Sequence, residues 1–313
     1  MSRAFVFPGQ GSQEVGMGRE LSEAFTVARL VFEEIDDALG QKLSSMIFNG
    51  PGEELILTEN AQPALMAVSI AVIRVLEEQG NIRIAQKATY VAGHSLGEYS
   101  ALTSVKALEL ADAARLLKTR GKAMQAAVPV GQGAMAAILG LDLKGVEEAV
   151  LEASQNEICE VANDNSDGQV VVSGNILAVE RSIEIAKKKG AKRGILLPVS
   201  APFHCQLMQP AAHTMKDALE TLSLTTPELP VIANVNAQPV RDPEEICDLL
   251  IEQITKKVRW RESIITLVDL GVEDIFEIGS GRVLSGLTRR INSDLKTHTI
   301  ATPAEVESFL QLI

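Results

Sequence analysis

Gly93-His94-Ser95-Leu96-Gly97 is the stretch of this chain best suited to do chemistry. Tyr90-Val91-Ala92 before it reads as the end of a buried strand, and a helix-compatible run follows from Glu98. Strand, tight turn and helix form the setting in which a G-x-S-x-G serine is held exposed as a nucleophile. Small residues two places either side let the backbone fold back on itself. The N–H groups that open the following helix then face any negative charge developing on a reacting acyl oxygen. The same pattern also serves as a purely structural strand-to-helix turn, so Ser95 acts only if a base meets it.

The chain offers four histidines as that base. His94 adjoins Ser95, but neighbours on so sharp a turn point apart. His213 and His298 stand in polar helical or terminal settings and are expected to be solvated. His204 lies in Ser200-Ala201-Pro202-Phe203-His204-Cys205, whose apolar flanks would limit solvent. That suits a base with a pKa near neutrality; the alternative is a satisfied structural histidine. Cys205 is a rival nucleophile on chemistry alone. It lacks an elbow and directly follows the histidine, which favours a packed thiol. Arg120 lies on a helix beside Leu117 and Met124, at the edge of its buried stripe, with no acid one turn away. Arg115, by contrast, has Asp112 three residues back. An inward arginine needs a partner, and the options are a substrate carboxylate, a group across the fold, or the helix C-terminus.

These groups must be positioned by α/β elements. Phe5-Val6-Phe7 reads as a first strand, followed by the loop Pro8-Gly9-Gln10-Gly11-Ser12-Gln13. As a dinucleotide fingerprint that loop fails, because Glu14 stands where the third glycine belongs. It instead exposes backbone and one amide side chain at the carboxyl end of a strand, where open α/β sheets place ligands. Amphipathic helices are predicted over 21–39 and 64–78, and another carries Leu110, Ala114, Leu117, Gly121 and Met124 inward. From Gly133 the rhythm becomes strand 134–139, helix 143–153, strands 158–162 and 169–173, helix 176–189 and strand 193–199. The residues Asn163 to Gly168 read as the turn between the middle strands. This βαββαβ order is that of a ferredoxin-like unit set into a larger framework. Beyond it are predicted a strand over 230–236, helices over 243–255 and 263–270, a strand over 274–278 and a helix over 283–291.

A chain of 313 residues, 46% of them hydrophobic, can bury a large core in one large or two intimate domains. No secretory signal precedes the first strand, no apolar run approaches a membrane span, and the three cysteines lack metal-ligand spacing. A soluble cytoplasmic protein is expected. A net charge of -12 argues against nonspecific binding to nucleic acid or anionic membrane.

Four motifs stand in order: Phe7-Pro8-Gly9-Gln10-Gly11-Ser12-Gln13, Gly93-His94-Ser95-Leu96-Gly97-Glu98-Tyr99, Arg120-Gly121-Lys122-Ala123-Met124-Gln125 and Ala201-Pro202-Phe203-His204. Together they resemble the malonyl-CoA:acyl-carrier-protein transacylases of bacterial-type fatty acid synthesis, nearly end to end. The resemblance implies a hydrolase-like core with a mostly parallel sheet over 1–130 and 200–313, and a ferredoxin-like small subdomain over 131–199, with the site between them. It implies Ser95 as acyl acceptor and His204 as base, the latter oriented by the main-chain carbonyl of Gln253. Gln10 would support an oxyanion hole completed by the Leu96 N–H, and Arg120 would pair with the malonyl carboxylate. His94, Asn163 and Met124 would lie near the acyl group, where Phe203 favours malonyl over methylmalonyl. Malonyl-CoA and acyl carrier protein are the implied partners of a monomer that needs no metal or cofactor. The carrier is expected to dock on Lys187-Lys188-Lys189-Gly190-Ala191-Lys192-Arg193 and on Arg282, Arg289 and Arg290.

Two rivals remain open on the residues alone. A serine esterase or thioesterase shares the elbow, but an α/β-hydrolase needs an acid and then a late histidine. His298 is late in the chain, yet its Lys296-Thr297-His298-Thr299 setting is polar and lacks loop glycines. A noncatalytic subunit that holds acyl carriers is the other.

Overall fold

The computed structural model describes residues 2–312. Its strands, in chain order, are β1 (Ser2–Phe7), β2 (Tyr90–Gly93), β3 (Gly133–Leu139), β4 (Cys159–Ser166), β5 (Gln169–Asn175), β6 (Arg193–Leu196), β7 (Val231–Ile232), β8 (Pro239–Val240), β9 (Val272–Ile278) and β10 (Lys296–Ile300). Six of them form one sheet in the order β10-β9-β1-β2-β7-β8, parallel throughout except for β8. The other four form an antiparallel sheet, β4-β5-β3-β6.

The parallel sheet is buried on both faces, as its crossover helices require. Alternation along β1 sends Phe5 and Phe7 into the core on one side, and Ala4 and Val6 into the core on the other. Phe5 packs edge-on against Phe276 and Phe309, with ring centroids 5.7 and 5.8 Å away. Trp260, Ile264 and Leu267 fill the opposite face. Helices Leu143–Ser154 and Ile176–Lys188 complete the βαββαβ order of the small sheet, whose separate core includes Ile138, Val146, Val172 and Val179. Beside the site, β4 of the small sheet is stitched to the start of helix Trp260–Asp269 and the residues just before it. The Val258 N–H donates to Ala162 O (2.8 Å), the Asp164 N–H donates to Val258 O (3.0 Å), and Arg261 pairs with buried Asp164 at 2.9 Å. Among the described residues no helix is long and apolar enough to cross a membrane.

Several elements depart from the sequence reading. The helix expected over 21–39 is two, Arg19–Ala24 and Thr26–Leu39, broken where Phe25 turns extended. The helix expected over 64–78 spans Thr58–Gly80, running through Pro63, and is buried nearly all round instead of amphipathic. Packing on every side outweighs the one hydrogen bond that proline removes. The turn expected at Asn163 to Gly168 is strand as far as Ser166, because register shifts at 161–163 and 164–166 absorb its irregular sequence. The strand expected over 230–236 keeps only Val231–Ile232, since β7 ends where Ala233 to Gln238 turns into β8. The strand expected over 193–199 stops at Leu196, and the helix expected from 263 begins at Trp260.

Candidate active site

β2 ends at Gly93, and the next residues reverse sharply into the helix Gly97–Ser104. A Cβ on Gly93 would overlap the Gly97 carbonyl, and one on Gly97 would overlap the Phe7 carbonyl. Only glycine fits at both. Ser95 sits in the left-handed region at φ 53, which costs an L-residue about 1–2 kcal/mol. Asn234 holds the turn in place: its Oδ1 accepts the Ser95 N–H (2.7 Å), and its Nδ2 donates to Gly93 O (2.6 Å). With that N–H engaged, the next free amide is Leu96, whose N–H meets no acceptor among the described residues. Gln10, in the loop three residues past β1, donates from Nε2 to Thr58 Oγ1 (3.3 Å) and shares a cavity wall with Ser95.

His204 follows β6 and is also left-handed, at φ 57. Its Nε2 lies 2.8 Å from Ser95 Oγ, and its Nδ1 lies 2.7 Å from Gln253 O. A carbonyl can only accept, so the proton resides on Nδ1 and the Nε2 lone pair faces the serine hydroxyl. Gln253 is the last residue of helix Pro243–Gln253. Its carbonyl is one of the helix-end acceptors with no intrahelical donor, at the negative end of the helix dipole. Burial foremost, then the nearby Arg120 charge, lowers the His204 pKa to about 3. The imidazole is therefore neutral at physiological pH, and its pKa lies well below the near-neutral value its sequence setting suggests, because burial disfavours the imidazolium.

Arg120 is fully buried, beyond the edge position its spacing suggests. Its guanidinium donates to Gln62 Oε1 (2.8 Å), Gln253 Oε1 (2.8 Å) and Ser95 Oγ (3.1 Å), and it lies 5.7 Å from the Tyr99 ring centroid. The partners are thus groups across the fold. Burial lowers its pKa from the usual arginine value. Glu98, one helical residue past the elbow, is buried with its Oε2 accepting from Gln253 Nε2 (2.8 Å) and the Asn234 N–H (3.1 Å). Burial raises its pKa to about 7.

These groups open on a cavity of about 490 Å3 whose lining includes Gln10, His94, Ser95, Leu96, Arg120, Met124, Asn163, Phe203 and His204. Of the sequence-derived site residues, Gln253 alone lies behind the wall, acting through its contacts. His94 turns from Ser95 toward Asn165 Oδ1 (2.8 Å) and packs against Trp260; burial lowers its pKa. A second cleft, about 820 Å3, touches His204 but neither Ser95 nor Arg120, so it lacks the nucleophile. His213 is exposed as expected. His298 is not simply solvated: in β10 it is the cross-strand partner of Phe276 and stacks on that ring at 4.5 Å. The Cys205 Sγ–H donates to Pro202 O (3.2 Å), and burial pushes its pKa up to about 11, so it is a packed thiol.

Sequence reasoning assigned no role to Gln62, Glu98, Asn165 or Asn234. Gln62 and Asn234 stand as polar misfits in or beside the apolar runs Ala61-Gln62-Pro63-Ala64-Leu65 and Val231-Ile232-Ala233-Asn234, whereas Asn165 lies among the polar residues Asn163 to Asp167 and carries no such signal.

A family model described as acyl transferase domain matches residues 4–299. A malonyl CoA-acyl carrier protein transacylase of Bacillus subtilis (strain 168) is 47% identical over 313 residues, covering 99% of this chain and 96% of the relative. The crystal structure of an acyl-carrier-protein-S-malonyltransferase from Bartonella henselae superposes with a TM-score of 0.97 at 57% identity, covering 100% of this chain and 99% of that one. A malonyl-transacylase solved in complex with its type II PKS acyl-carrier protein gives 0.96 at 42% identity, covering both chains fully.

Proposed function

The chain belongs to the acyl transferase domain family, and from that membership we propose that it moves a malonyl group from coenzyme A to the thiol of acyl carrier protein through an ester on Ser95. The observation that carries this reading is the meeting of three groups on one cavity wall. Ser95 Oγ lies 2.8 Å from a neutral imidazole nitrogen and 3.1 Å from a buried guanidinium. The first is what a serine needs to lose its proton, and the second is what a substrate carboxylate needs to be held.

The chemistry runs in two symmetric halves. Ser95 Oγ attacks the thioester carbonyl carbon while its proton passes to His204 Nε2. The oxygen that becomes negative is met by the Leu96 N–H, with Gln10 in the neighbouring loop past β1; one such donor is worth about 3–4 kcal/mol. The C–S bond breaks, the proton returns from Nε2 to the departing sulfur, and coenzyme A leaves as a thiol. The carrier thiol then gives its proton to His204, attacks the ester carbon and releases Ser95, which takes the proton back. Every bond broken is replaced in kind, and no redox step or hydrolysis occurs. Serine, imidazole and N–H donors suffice, so the scheme draws on no metal or cofactor. The Gln253 carbonyl plays the part that a carboxylate plays in a Ser-His-Asp triad: it holds the tautomer and steadies the transient imidazolium. A cytoplasmic setting and supply of malonyl groups to fatty acid synthesis complete the reading.

The test is to incubate the protein with malonyl-CoA and map the modified peptide by mass spectrometry. A malonyl ester on Ser95, cleared when carrier protein is added, is the expected result. Ser95→Ala abolishes transfer and keeps the fold. An adduct on Cys205, or hydrolysis without acceptor as fast as transfer with one, overturns the proposal; the latter result favours a thioesterase.

A further inference from the structure

The side-chain amide of Gln253 has its two ends on opposite kinds of group. Oε1 accepts from the Arg120 guanidinium at 2.8 Å, while Nε2 donates to Glu98 Oε2 at 2.8 Å and to Ser95 O at 3.1 Å. A primary amide is nearly symmetric in shape, so its partners decide which way it faces. Guanidinium only donates, and an ionised carboxylate only accepts. A flipped Gln253 would set Nε2 against Arg120 and Oε1 against the Glu98 carboxylate, two repulsive contacts among buried groups. Glu98 is itself fixed from a second direction by the Asn234 N–H at 3.1 Å, so it cannot swing away with the amide. The mechanism above uses neither Glu98 nor the Gln253 side chain.

Resting on the acyl-transfer reading, we propose that Glu98 is a positioning residue for acyl-group selection: through the Gln253 amide it fixes the Arg120 guanidinium facing the acyl cavity. Glu98 touches no substrate. Its effect falls on donors that carry a carboxylate for Arg120 to meet, and leaves a methyl-ended donor comparatively indifferent. A residue that merely stiffened the elbow would slow both donors alike.

The experiment measures Ser95 acylation rates with malonyl-CoA and acetyl-CoA at pH 8, in the parent protein, Glu98→Met and Glu98→Gln. Methionine fills similar volume without an acceptor. Glutamine restores an acceptor to both Gln253 Nε2 and the Asn234 N–H. The malonyl-to-acetyl ratio is expected to fall about tenfold in Glu98→Met, the size of one charge-assisted hydrogen bond. In Glu98→Gln it stays within about threefold of the parent. An unchanged ratio in Glu98→Met, or equal slowing toward both donors, overturns the proposal. If Glu98→Met does not fold, Glu98→Asp serves, because it withdraws the carboxylate by one carbon; there too the ratio must fall, and its constancy overturns the idea. A parent that forms no malonyl ester defeats the acyl-transfer reading instead, so the two failures are distinct.

Discussion

Arg120 is 1% exposed, yet its guanidinium meets amide and hydroxyl oxygens and no carboxylate among the described residues. Other cations of the same helix, Leu110–Ala126, do find acids: Arg115 pairs with Asp112 at 2.7 Å and Lys118 with Glu59 at 3.3 Å. Amide oxygens satisfy N–H groups but do not neutralise charge, and a buried charge without a counter-charge is costly. The buried Glu98 carboxylate, one amide away through Gln253, interacts with this charge electrostatically but makes no direct contact. A carboxylate-ended acyl group in the cavity would thus give Arg120 its direct counter-charge. Removing one partner of such a pair costs about 2–5 kcal/mol. Arg120→Ala is therefore expected to lose at least about 30-fold in kcat/KM for malonyl-CoA. Its relative activity toward acetyl-CoA should rise, since no unpaired cation then penalises an uncharged acyl group. Steady-state kinetics with both donors checks this, and an unchanged malonyl-to-acetyl ratio would make Arg120 a structural residue.

At the scale of elements, three ends converge: the turn after β2, the loop after β6 and the C-terminus of helix Pro243–Gln253. The turn after β2 is legible in sequence because its signal is five consecutive residues. Arg120 and His204 are legible as polar misfits in apolar surroundings, with roles supplied by resemblance. The roles of Glu98, Asn165, Asn234 and Gln62 are not legible even where the side chain is a visible misfit, because their deciding bonds reach partners between 58 and 155 positions away. Nor is β4 readable through Asn163, where bulges, not alternation, keep the strand going. The helix end has a pH signature. His204 has a folded pKa of about 3 against an ordinary 6.5, so below 6.5 the unfolded chain takes up a proton that the native state refuses. Its contribution is whole above pH 6.5 and is lost as pH falls toward 3. Glu98 acts in the opposite sense: raised to about 7, it keeps a proton in the native state that the unfolded chain releases, so acidification from 7 favours folding. These two effects oppose each other, while His94, whose pKa burial also lowers, adds to the loss on acidification; substitution isolates the His204 part. Between pH 7 and 4.5, urea unfolding should show the parent losing about 2–3 kcal/mol relative to His204→Gln. Ser95 acylation in the parent should show no half-loss near pH 6.5, because the base is already neutral there; a midpoint at 6.5 would mean His204 titrates as a solvated histidine.

For the whole molecule, the net charge of -12 sets a problem for any acidic protein partner, which must dock against overall repulsion. Local positive surface near the cavity mouth is the physical answer, and the structure thins the patch that sequence suggests. Lys187 is taken by Glu184 (2.6 Å), Lys189 by Glu148 (3.4 Å) and Arg282 by Glu305 (3.7 Å). Lys188, Lys192 and Arg193 remain exposed without an ion pair among the described residues, as do Arg289 and Arg290, although Arg290 donates to Gln169 at 2.6 Å. Arg193 opens β6, and Leu197, just past its end, lines the acyl cavity. Four residues of extended chain span about 13 Å, only slightly more than the screening length of roughly 10 Å at about 0.1 M salt. Of these cations, Arg193 is thereby placed within about 13 Å of the cavity lining along β6. Reversing charge at Lys188, Lys192 and Arg193 together should raise the apparent KM for acyl carrier protein and steepen with falling salt, since attraction is being replaced by repulsion. Transfer to free pantetheine, which brings no acidic surface, should change little. Equal loss toward carrier and pantetheine would mean that the substitutions damaged the small sheet or the site, and that the carrier docks elsewhere.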